Sequence, residues 1–561
     1  MSRQKTLDRI LSQPDVSVLI IGGGINGVGL FRELALQGVD VLLVEKADFC
    51  AGTSAASTRI IHGGLRYLEN GEFRLVREAL VERNRLLANA PHTVKPLPTT
   101  IPIFSWTKGT VFAVKKFLGF SDKPGDRGAL LIKIGLTLYD WFSGRQCALP
   151  RHRFMSRAAA FTQRSQLNPA IICTATYYDA QITYPERLCL ELILDSEGFS
   201  PQARALNYVR VVGAEGNAVI LRDEIGGQNL TVRPQIVVNA TGAWIDFTNR
   251  AMRRETQFIG GTKGSHLVIN HLELYNATKG EMLYFATPEG RICIFYPFGD
   301  KVIAGSTDIP VDDPETAVCD QDEEAYILDS IRHVFPSIRV DRSHIVFRFC
   351  GVRPLPRSSA ATTGQISRDH HCALTPPGDG VKFPIYSLIG GKWTTFRAFA
   401  EQVTDQILPV LGKTRQTKSE NLPIGGGKNY PQNDAERETW ITENGQGLPK
   451  ERVQVLLQRY GTQAGEVIAF ITAASDSPLV HHPGYSRREL QFLATYERVV
   501  HLDDLILRRT LMGILGELDG DLLEELAHVV APVLNWSPDQ MQAEIERTKQ
   551  IFRMIHGVNI R

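Results

Sequence analysis

Hydrophobic and polar positions divide the chain into stretches of different rhythm. A run of β-branched and aliphatic residues, Val16 to Ile21, interrupted only by Ser17, has the pattern of a buried strand. A glycine cluster and a helix-compatible segment follow, and a second run, VDVLLVE, ends at Glu45. The pattern predicts strand, helix and strand over 16–45, preceded by a polar lead-in at residues 1–14. Phe73, Val76, Leu80 and Leu87 recur near helical spacing among charges and predict a helix over 71–89. Residues 204–240 alternate, with turn signals at Glu215-Gly216-Asn217 and Gly226-Gly227, and predict strands returning to the first sheet. Residues 261–310 predict sheet, in which RICIFYPF and KVIAGSTD flank Gly299-Asp300, a two-residue hairpin turn.

Glycine-rich segments return at residues 345–400, and sheet systems that exchange the chain in this way predict interleaved domains. Residues 411–435, polar and containing Gly425–Gly427, predict a linker. Beyond it the pattern is helical. Val453, Leu456, Leu457 and Tyr460 form one stripe; Leu522, Leu523, Leu526, Val529, Val530 and Val533 form another. Both predict core. Ser537-Pro538-Asp539-Gln540 has the form of a capping box with proline at the first helical position, and Gly557 marks a stop. The fold class expected is α/β: a nucleotide-binding domain over roughly 15–410 interleaved with a mixed-sheet substrate domain (roughly 91–190 and 258–345), then the linker, then an all-helical domain over 436–561.

Composition narrows the function classes. The 561 residues carry a formal net charge of +1, with 43% hydrophobic and 22% charged residues, so no global basic field recruits nucleic acid. The eight cysteines contain no C-x-x-C pair, which argues against a zinc knuckle or dithiol motif, and no metal site is expected. No run of 18 apolar residues spans a bilayer. A membrane surface remains open to residues 108–142. There TVFAVKKFLGF and LLIKIGLTLYDWF interleave Lys108, Lys115, Lys116 and Lys133 with bulky apolar residues ending at Trp141. That pattern suits a lipid headgroup layer, or equally a core helix pair whose lysine stems reach outward.

The chemistry centres on VSVLIIGGGINGVGL. Gly22, Gly24 and Gly27 keep the G-x-G-x-x-G spacing, which permits a sharp turn, close approach of a pyrophosphate, and tight strand–helix packing. The helix N-terminus offers free N–H groups to phosphate. Glu45, about 20 residues on, is placed to hold a ribose hydroxyl. This favours an adenosine ribose without a 2′-phosphate and does not choose between NAD and FAD. In AGTSAASTRIIHGGLRYLE, small and hydroxyl residues suit a backbone passing close to a ligand. There His62 precedes Gly63-Gly64 and is followed by Arg66 and Tyr67; it can move or orient a proton, or serve structure alone. Arg353, stiffened by prolines in GVRPLPR, suits a phosphate or carboxylate, or a surface salt bridge. Lys392 lies at a strand-to-helix junction, and His266 on a strand entering the second sheet.

GGGINGVG, STRIIHGGLRYLENGEFRLVREAL, VVNATGAW, KGSHLVI, GSTD, GVRPL and GGKWTTFR, in that order, resemble the FAD-dependent glycerol-3-phosphate dehydrogenases of the respiratory, membrane-associated kind. The likeness covers roughly residues 15–400, and the helical part with DDLILRRT is similar to the family's cap domain. It implies a glutathione-reductase-like (Rossmann) FAD domain, FAD as cofactor, ubiquinone or menaquinone as acceptor, a homodimer, and a peripheral place on the cytoplasmic face of the inner membrane. It implies that Gly22, Gly24, Gly27 and Glu45 hold the adenosine diphosphate part. Thr53, Ser54, Ser57, Thr241 and Gly242 would run along the flavin, with Gly391, Lys392 and Thr394 at its ring. His62, Arg66, Tyr67, His266, Arg353 and Lys392 form the implied substrate set for glycerol 3-phosphate, with hydride passing from C2 to flavin N5. Departures are Trp393 for the usual leucine or isoleucine, Phe396 for tyrosine, Ser306 for threonine, and a longer, lysine-rich 104–130. An α-glycerophosphate oxidase using O₂ is the nearest alternative, and a non-catalytic flavin-binding membrane sensor a more distant one. If residues 108–142 bind lipid, changing Lys115 and Lys116 to Glu reduces co-flotation with anionic vesicles; unaltered flotation counts against it.

Overall fold

A computed structural model describes residues 3–106, 128–144, 149–287, 291–358 and 369–561, apart from the side chains of Arg66, Glu69 and Asn70. Lys108, Lys115 and Lys116 lie outside the described residues.

The first sheet is built on β1 (Asp15–Ile21), parallel to β2 (Val41–Val44) on one side and to β10 (Asn229–Asn239) on the other. Its order continues through β18 (Ile385–Ile389) to β17 (His371–Thr375) at one edge and ends in β7 (Ala203–Leu206) at the other. From Val18 to Ile21 β1 is wholly apolar, because both faces are covered there. Val18 and Ile20 join a cluster with α2 (Ile25–Leu36), α5 (Pro185–Phe199) and α7 (Phe396–Val410). Leu19 and Ile21 point the other way, into a cluster with α1 (Arg3–Ser12) and the hairpin of β8 (Val209–Glu215) and β9 (Ala218–Asp223). Val18, Leu19 and Ile20 are wholly buried, each worth about 1.5–3 kcal/mol.

The second, mixed sheet draws strands from both halves of the chain. Its path starts at β15 (Ile309–Pro310) and runs through β11 (Thr262–Ile269), β14 (Lys301–Gly305), β13 (Ile292–Phe298) and β12 (Met282–Ala286). It continues through β4 (Val94–Ile103) and β6 (Cys173–Ile182) to β3 (Ile60–Ile61). β16 (Ile345–Arg353) pairs antiparallel with β11, and β5 (Arg153–Ser156) with β6. Phe298 pairs with Lys301 across the predicted Gly299-Asp300 turn. α3 (Phe73–Asn89) and α4 (Ala129–Ser143) cover one end of this sheet, and α6 (Gln321–Val334) packs beside β11.

Three expectations differ. The polar lead-in is α1: Thr6, Leu7 and Ile10 are buried at helical spacing, too few apolar positions for the pattern to stand out. Residues 261–310 include a helix, Leu272–Thr278, started by His271, whose Nδ1 accepts from the Leu274 N–H at 3.1 Å. Inside the expected linker, residues 424–427 form a buried clasp, while most of 411–423 lies at the surface. The Ile424 N–H donates to the Asn89 carbonyl and the Gly425 N–H to Asp195 Oδ2, at 2.8 and 2.9 Å. A Cβ on Gly426 would lie 1.9 Å from the Tyr460 oxygen.

Both predicted stripes are buried with β-strand residues Tyr296, Phe347 and Phe349, so the helical domain shares one core with the second sheet. The Ser537 capping box is present, and Gly557 follows the helix at φ +64°. Gly426→Ala is expected to destabilise the protein by about 1–3 kcal/mol through overpacking, read as a lower midpoint in thermal unfolding.

Candidate active site

The nucleotide end follows from backbone sterics. Gly22 has φ +111°, and a Cβ there would lie 2.7 Å from the Ala240 oxygen; one on Gly27 would lie 2.0 Å from the Gly22 oxygen. Only glycine lets β1 turn into α2 here. Glu45 follows β2 and curls back: its Oε2 accepts from the Gly23 N–H at 2.7 Å and its Oε1 from the Ala47 N–H at 2.9 Å. Burial pushes its carboxyl pKa up, against these two hydrogen bonds and the Lys46 charge. Each carboxylate oxygen can still accept from a ribose hydroxyl.

The middle of the site is the loop Thr53–Thr58, which bonds to both sheet systems. Ser54 Oγ accepts from the Ile25 N–H in the first turn of α2 at 3.0 Å, and the Ser54 carbonyl accepts from Trp393 Nε1 at 2.9 Å. Thr53 Oγ1 donates to the Val352 carbonyl at 2.7 Å, and the Thr58 carbonyl accepts from Tyr296 Oη at 2.9 Å. Ser57 Oγ accepts from the Arg59 N–H. Thr241 Oγ1 donates to Asn239 Oδ1 at 2.6 Å, where β10 ends, and Gly242 has φ +61°. Loop 53–58 therefore touches the immediate neighbours of both Lys392 and Arg353, placing those two cations around one short segment.

At the ring end, Gly390 and Gly391 both adopt positive φ, and a Cβ on Gly391 would meet Asn26 Nδ2 at 2.4 Å. Lys392 Nζ lies 4.4 Å from the centre of the Tyr67 ring, buried, with no hydrogen-bond partner among the described residues. The His62 and Tyr67 rings are 6.1 Å apart, and Thr394 Oγ1 sits 3.2 Å from both the His62 N and O. A buried ammonium held only by a ring face, with no hydrogen-bond acceptor among the described residues, is costly unless an anionic or accepting group also meets it. That donor set, with the glycine cradle, fits a flavin dinucleotide.

On the other side of the loop, Arg353 ends β16. Its Nη1 donates to Asp308 Oδ1 at 3.1 Å, and its Nη2 to Ser306 Oγ and the Thr307 carbonyl at 3.0 and 3.1 Å. Gly264 leaves room for it: a Cβ there would lie 2.1 Å from Nη2. His266, on β11, stacks on Phe349 at 4.8 Å and meets Thr58 Oγ1 through Nε2 at 3.2 Å; its Nδ1 is buried without a partner among the described residues. Burial first, then the charges of Arg353 and Arg59, bring its pKa down to about 3. The Arg66 side chain is outside the described set. Tyr67, His62, His266, Arg353 and Lys392 thus gather around loop 53–58, and Glu45 stands at the far, nucleotide end.

The sequence departures have local reasons. Trp393 supplies the indole N–H that the Ser54 carbonyl accepts. Phe396 packs over Gly29, where a Cβ would lie 2.7 Å from its ring. Ser306 Oγ is one of the Arg353 acceptors. Sequence reasoning missed the support of His62-Gly63. The Gly63 N–H donates to Tyr139 Oη and Asp179 Oδ1 at 2.9 and 3.1 Å, and Arg83 Nη1 donates to Asp179 Oδ1 at 3.0 Å. The signal was available: Asp179 is an acid in the strand CTATYYDAQI, and Arg83 lies on the buried face of α3.

The chain matches the FAD dependent oxidoreductase family over residues 17–396 and the C-terminal domain of alpha-glycerophosphate oxidase over 417–541. It is 33% identical to a glycerol-3-phosphate dehydrogenase of Synechocystis sp., over 94% of this chain and 95% of that one. The chain belongs to the FAD-dependent glycerol-3-phosphate dehydrogenase family. A second relative, glycerol-3-phosphate dehydrogenase 2 of Mycobacterium bovis, is 31% identical over 95% of this chain and 88% of its own. The fold matches the FAD-complexed glycerol-3-phosphate dehydrogenase structure from Bacillus halodurans at TM-score 0.72 and 20% identity, over 99% and 97% of the two chains. Members of this family bind FAD.

The His266 pKa has a consequence for acid stability. Between pH 6.5 and about 3 the unfolded chain binds a proton that the folded imidazole refuses. Its contribution is undiminished above pH 6.5 and falls by about 1.4 kcal/mol per pH unit on acidification through that window. Chemical denaturation of the wild type and His266→Asn at pH 7 and pH 5 is expected to show a shallower loss in the variant.

Proposed function

We propose that the protein oxidises sn-glycerol 3-phosphate to dihydroxyacetone phosphate and passes the electrons to a membrane quinone, ubiquinone or menaquinone. The observation that carries this reading is the gathering of Arg353, His266, Tyr67 and Lys392 around loop 53–58. FAD, when bound, supplies the hydride acceptor. Gly22, Gly24, Gly27 and Glu45 hold its adenosine diphosphate half. Thr53, Ser54, Ser57, Thr241 and Gly242 flank its length, and Gly391, Lys392 and Thr394 meet its ring.

Arg353, aided by Arg66 and Tyr67, holds the substrate phosphate. Its three contacts to Ser306, Thr307 and Asp308 fix the guanidinium plane beforehand, so little orientational freedom is lost on binding. His266 takes the C2 hydroxyl proton, with His62 as the second candidate. Nδ1, without a partner among the described residues, is neutral at pH 7 and ready to accept. Burial depresses the imidazole most, then the Arg353 and Arg59 charges; the phosphate dianion offsets the Arg353 part, raising its basicity when substrate is present. Lys392 places a fixed positive charge where negative charge gathers.

The quinone part rests on a surface. Leu130, Ile134 and Trp141 of α4 are each more than half exposed, with Lys133 on the same helix; in the neighbouring cleft the cations Arg74 and Arg85 are paired with Glu78 and Glu82. An apolar helix face carrying a lysine suits a peripheral seat on an anionic bilayer, here the cytoplasmic face of the inner membrane. No described helix is long and apolar enough to cross one. The family's homodimer belongs to the same reading.

The C-terminal likeness to a domain named for alpha-glycerophosphate oxidase makes O₂ the competing acceptor. Anaerobic bleaching of the flavin by glycerol 3-phosphate is expected, with quinone reduction exceeding peroxide yield in air; a stoichiometric peroxide yield would assign the oxidase reaction instead. Arg353→Ala is expected to lower kcat/KM by about a hundredfold or more with flavin retained. Unchanged kinetics remove Arg353 from the site.

A further inference from the structure

The helical C-terminal domain takes no part in the steps above, yet it reaches the nucleotide end of the site. We propose that Arg508 and Arg509 are positioning residues for the adenosine half of FAD, acting through the buried carboxylate of Asp48. This rests on the assignment of Glu45 and the glycine loop to that half of the cofactor.

Asp48 lies three positions after Glu45 in a loop wrapped on Gly23. The Gly23 N–H donates to Glu45, the Cys50 N–H donates to the Gly23 carbonyl at 3.0 Å, and a Cβ on Gly23 would lie 2.8 Å from the Phe49 ring. Asp48 is wholly buried, and both its oxygens are filled. Oδ1 accepts from Arg509 Nη2 at 2.9 Å and Asn207 Nδ2 at 3.0 Å; Oδ2 accepts from Arg508 Nε at 2.7 Å and Arg509 Nη1 at 2.8 Å.

The two arginines are fixed in turn. Arg509 Nε donates to the Glu497 carbonyl at 2.8 Å, and Arg508 Nη2 to Asp503 and Asp504 at 2.9 and 2.5 Å. They are consecutive residues on a π-turn, Leu505–Arg509, closed by the Thr510 N–H to the Leu505 carbonyl at 2.9 Å. Successive side chains on an α-helix diverge by about 100°. The wider π-turn narrows that angle and lets both guanidiniums reach one carboxylate. The loop that presents Glu45 is thereby anchored by donors more than 450 residues away along the chain.

The test is FAD affinity of the full-length protein, read from flavin fluorescence released on dilution, alongside thermal unfolding. Asp48→Asn and Arg509→Lys are expected to raise the FAD dissociation constant by about fivefold or more. Arg164→Met breaks a buried pair that shares no partner with Asp48, Arg508 or Arg509, in which Arg164 Nη2 holds Glu281 Oε2 at 2.6 Å. It is expected to lower the unfolding midpoint and leave FAD affinity within about twofold of wild type. Wild-type FAD affinity in Arg509→Lys, or an equal loss in Arg164→Met, overturns the proposal. Should Asp48→Asn fail to fold, Arg509→Lys decides alone. Glu45→Gln separates the layers: if it leaves FAD affinity untouched, the assignment of Glu45 fails, whatever the arginine variants show.

Discussion

Six residues, Thr53 to Thr58, tie a parallel sheet to a mixed one. Their hydroxyls and carbonyls bond α2, the Lys392 turn, β13 and β16, so the geometry between the sheets is set by polar contacts of 2.7–3.2 Å. Apolar packing alone would allow the sheets to slide; directional bonds to backbone carbonyls do not. The separation of Lys392 from Arg353 is therefore a property of this loop. Small residues are needed there because Gly351 approaches Ala56 so closely that a Cβ on the glycine would meet the Ala56 oxygen at 2.7 Å.

Among the described residues, many charges are buried in pairs. Arg59 with Glu186, Arg83 with Asp179, Arg187 with Glu497, and Asp48 with Arg508 and Arg509 each join segments far apart in sequence. Such pairs return little net stability, since desolvation consumes most of the attraction, but breaking one leaves an isolated charge at a cost of about 3–5 kcal/mol. They penalise wrong docking of the domains more than they deepen the right one. Lys392 stands apart from this scheme, and a charge left unbonded in the interior is a sign of chemistry.

What could be read in advance was what is local. β1, the glycine turn, α2 and Glu45 lie within 31 residues, and sterics there are dictated by neighbours in sequence. The capping box at Ser537 and the hairpin at Gly299 were legible for the same reason. Motif order carried the family, and so the expected gathering of Arg353 and Lys392. It carried none of the contacts that hold them, since Ser306 through Asp308 and Val352 meet their partners only through strand pairing. The buried clasp at Gly425–Gly427 was not legible, because glycines look alike whether they face water or pack where a Cβ would lie 1.9 Å from a carbonyl oxygen. α1 was hidden by having two well-buried aliphatics.

The first sheet is assembled from pieces made at very different times. β10 takes β18 as its parallel neighbour, yet the whole run of chain from Asn239 to Ile385 lies between them, and it carries β11 to β16 of the other sheet. At the usual pace of synthesis, about 5–20 residues per second, that edge of β10 waits roughly seven to thirty seconds for its partner. An open, apolar strand edge invites pairing with another chain during such an interval. A nascent protein of this topology thus depends on whatever shields that edge at the ribosome, and its yield on expression is a question of timing as much as of final stability.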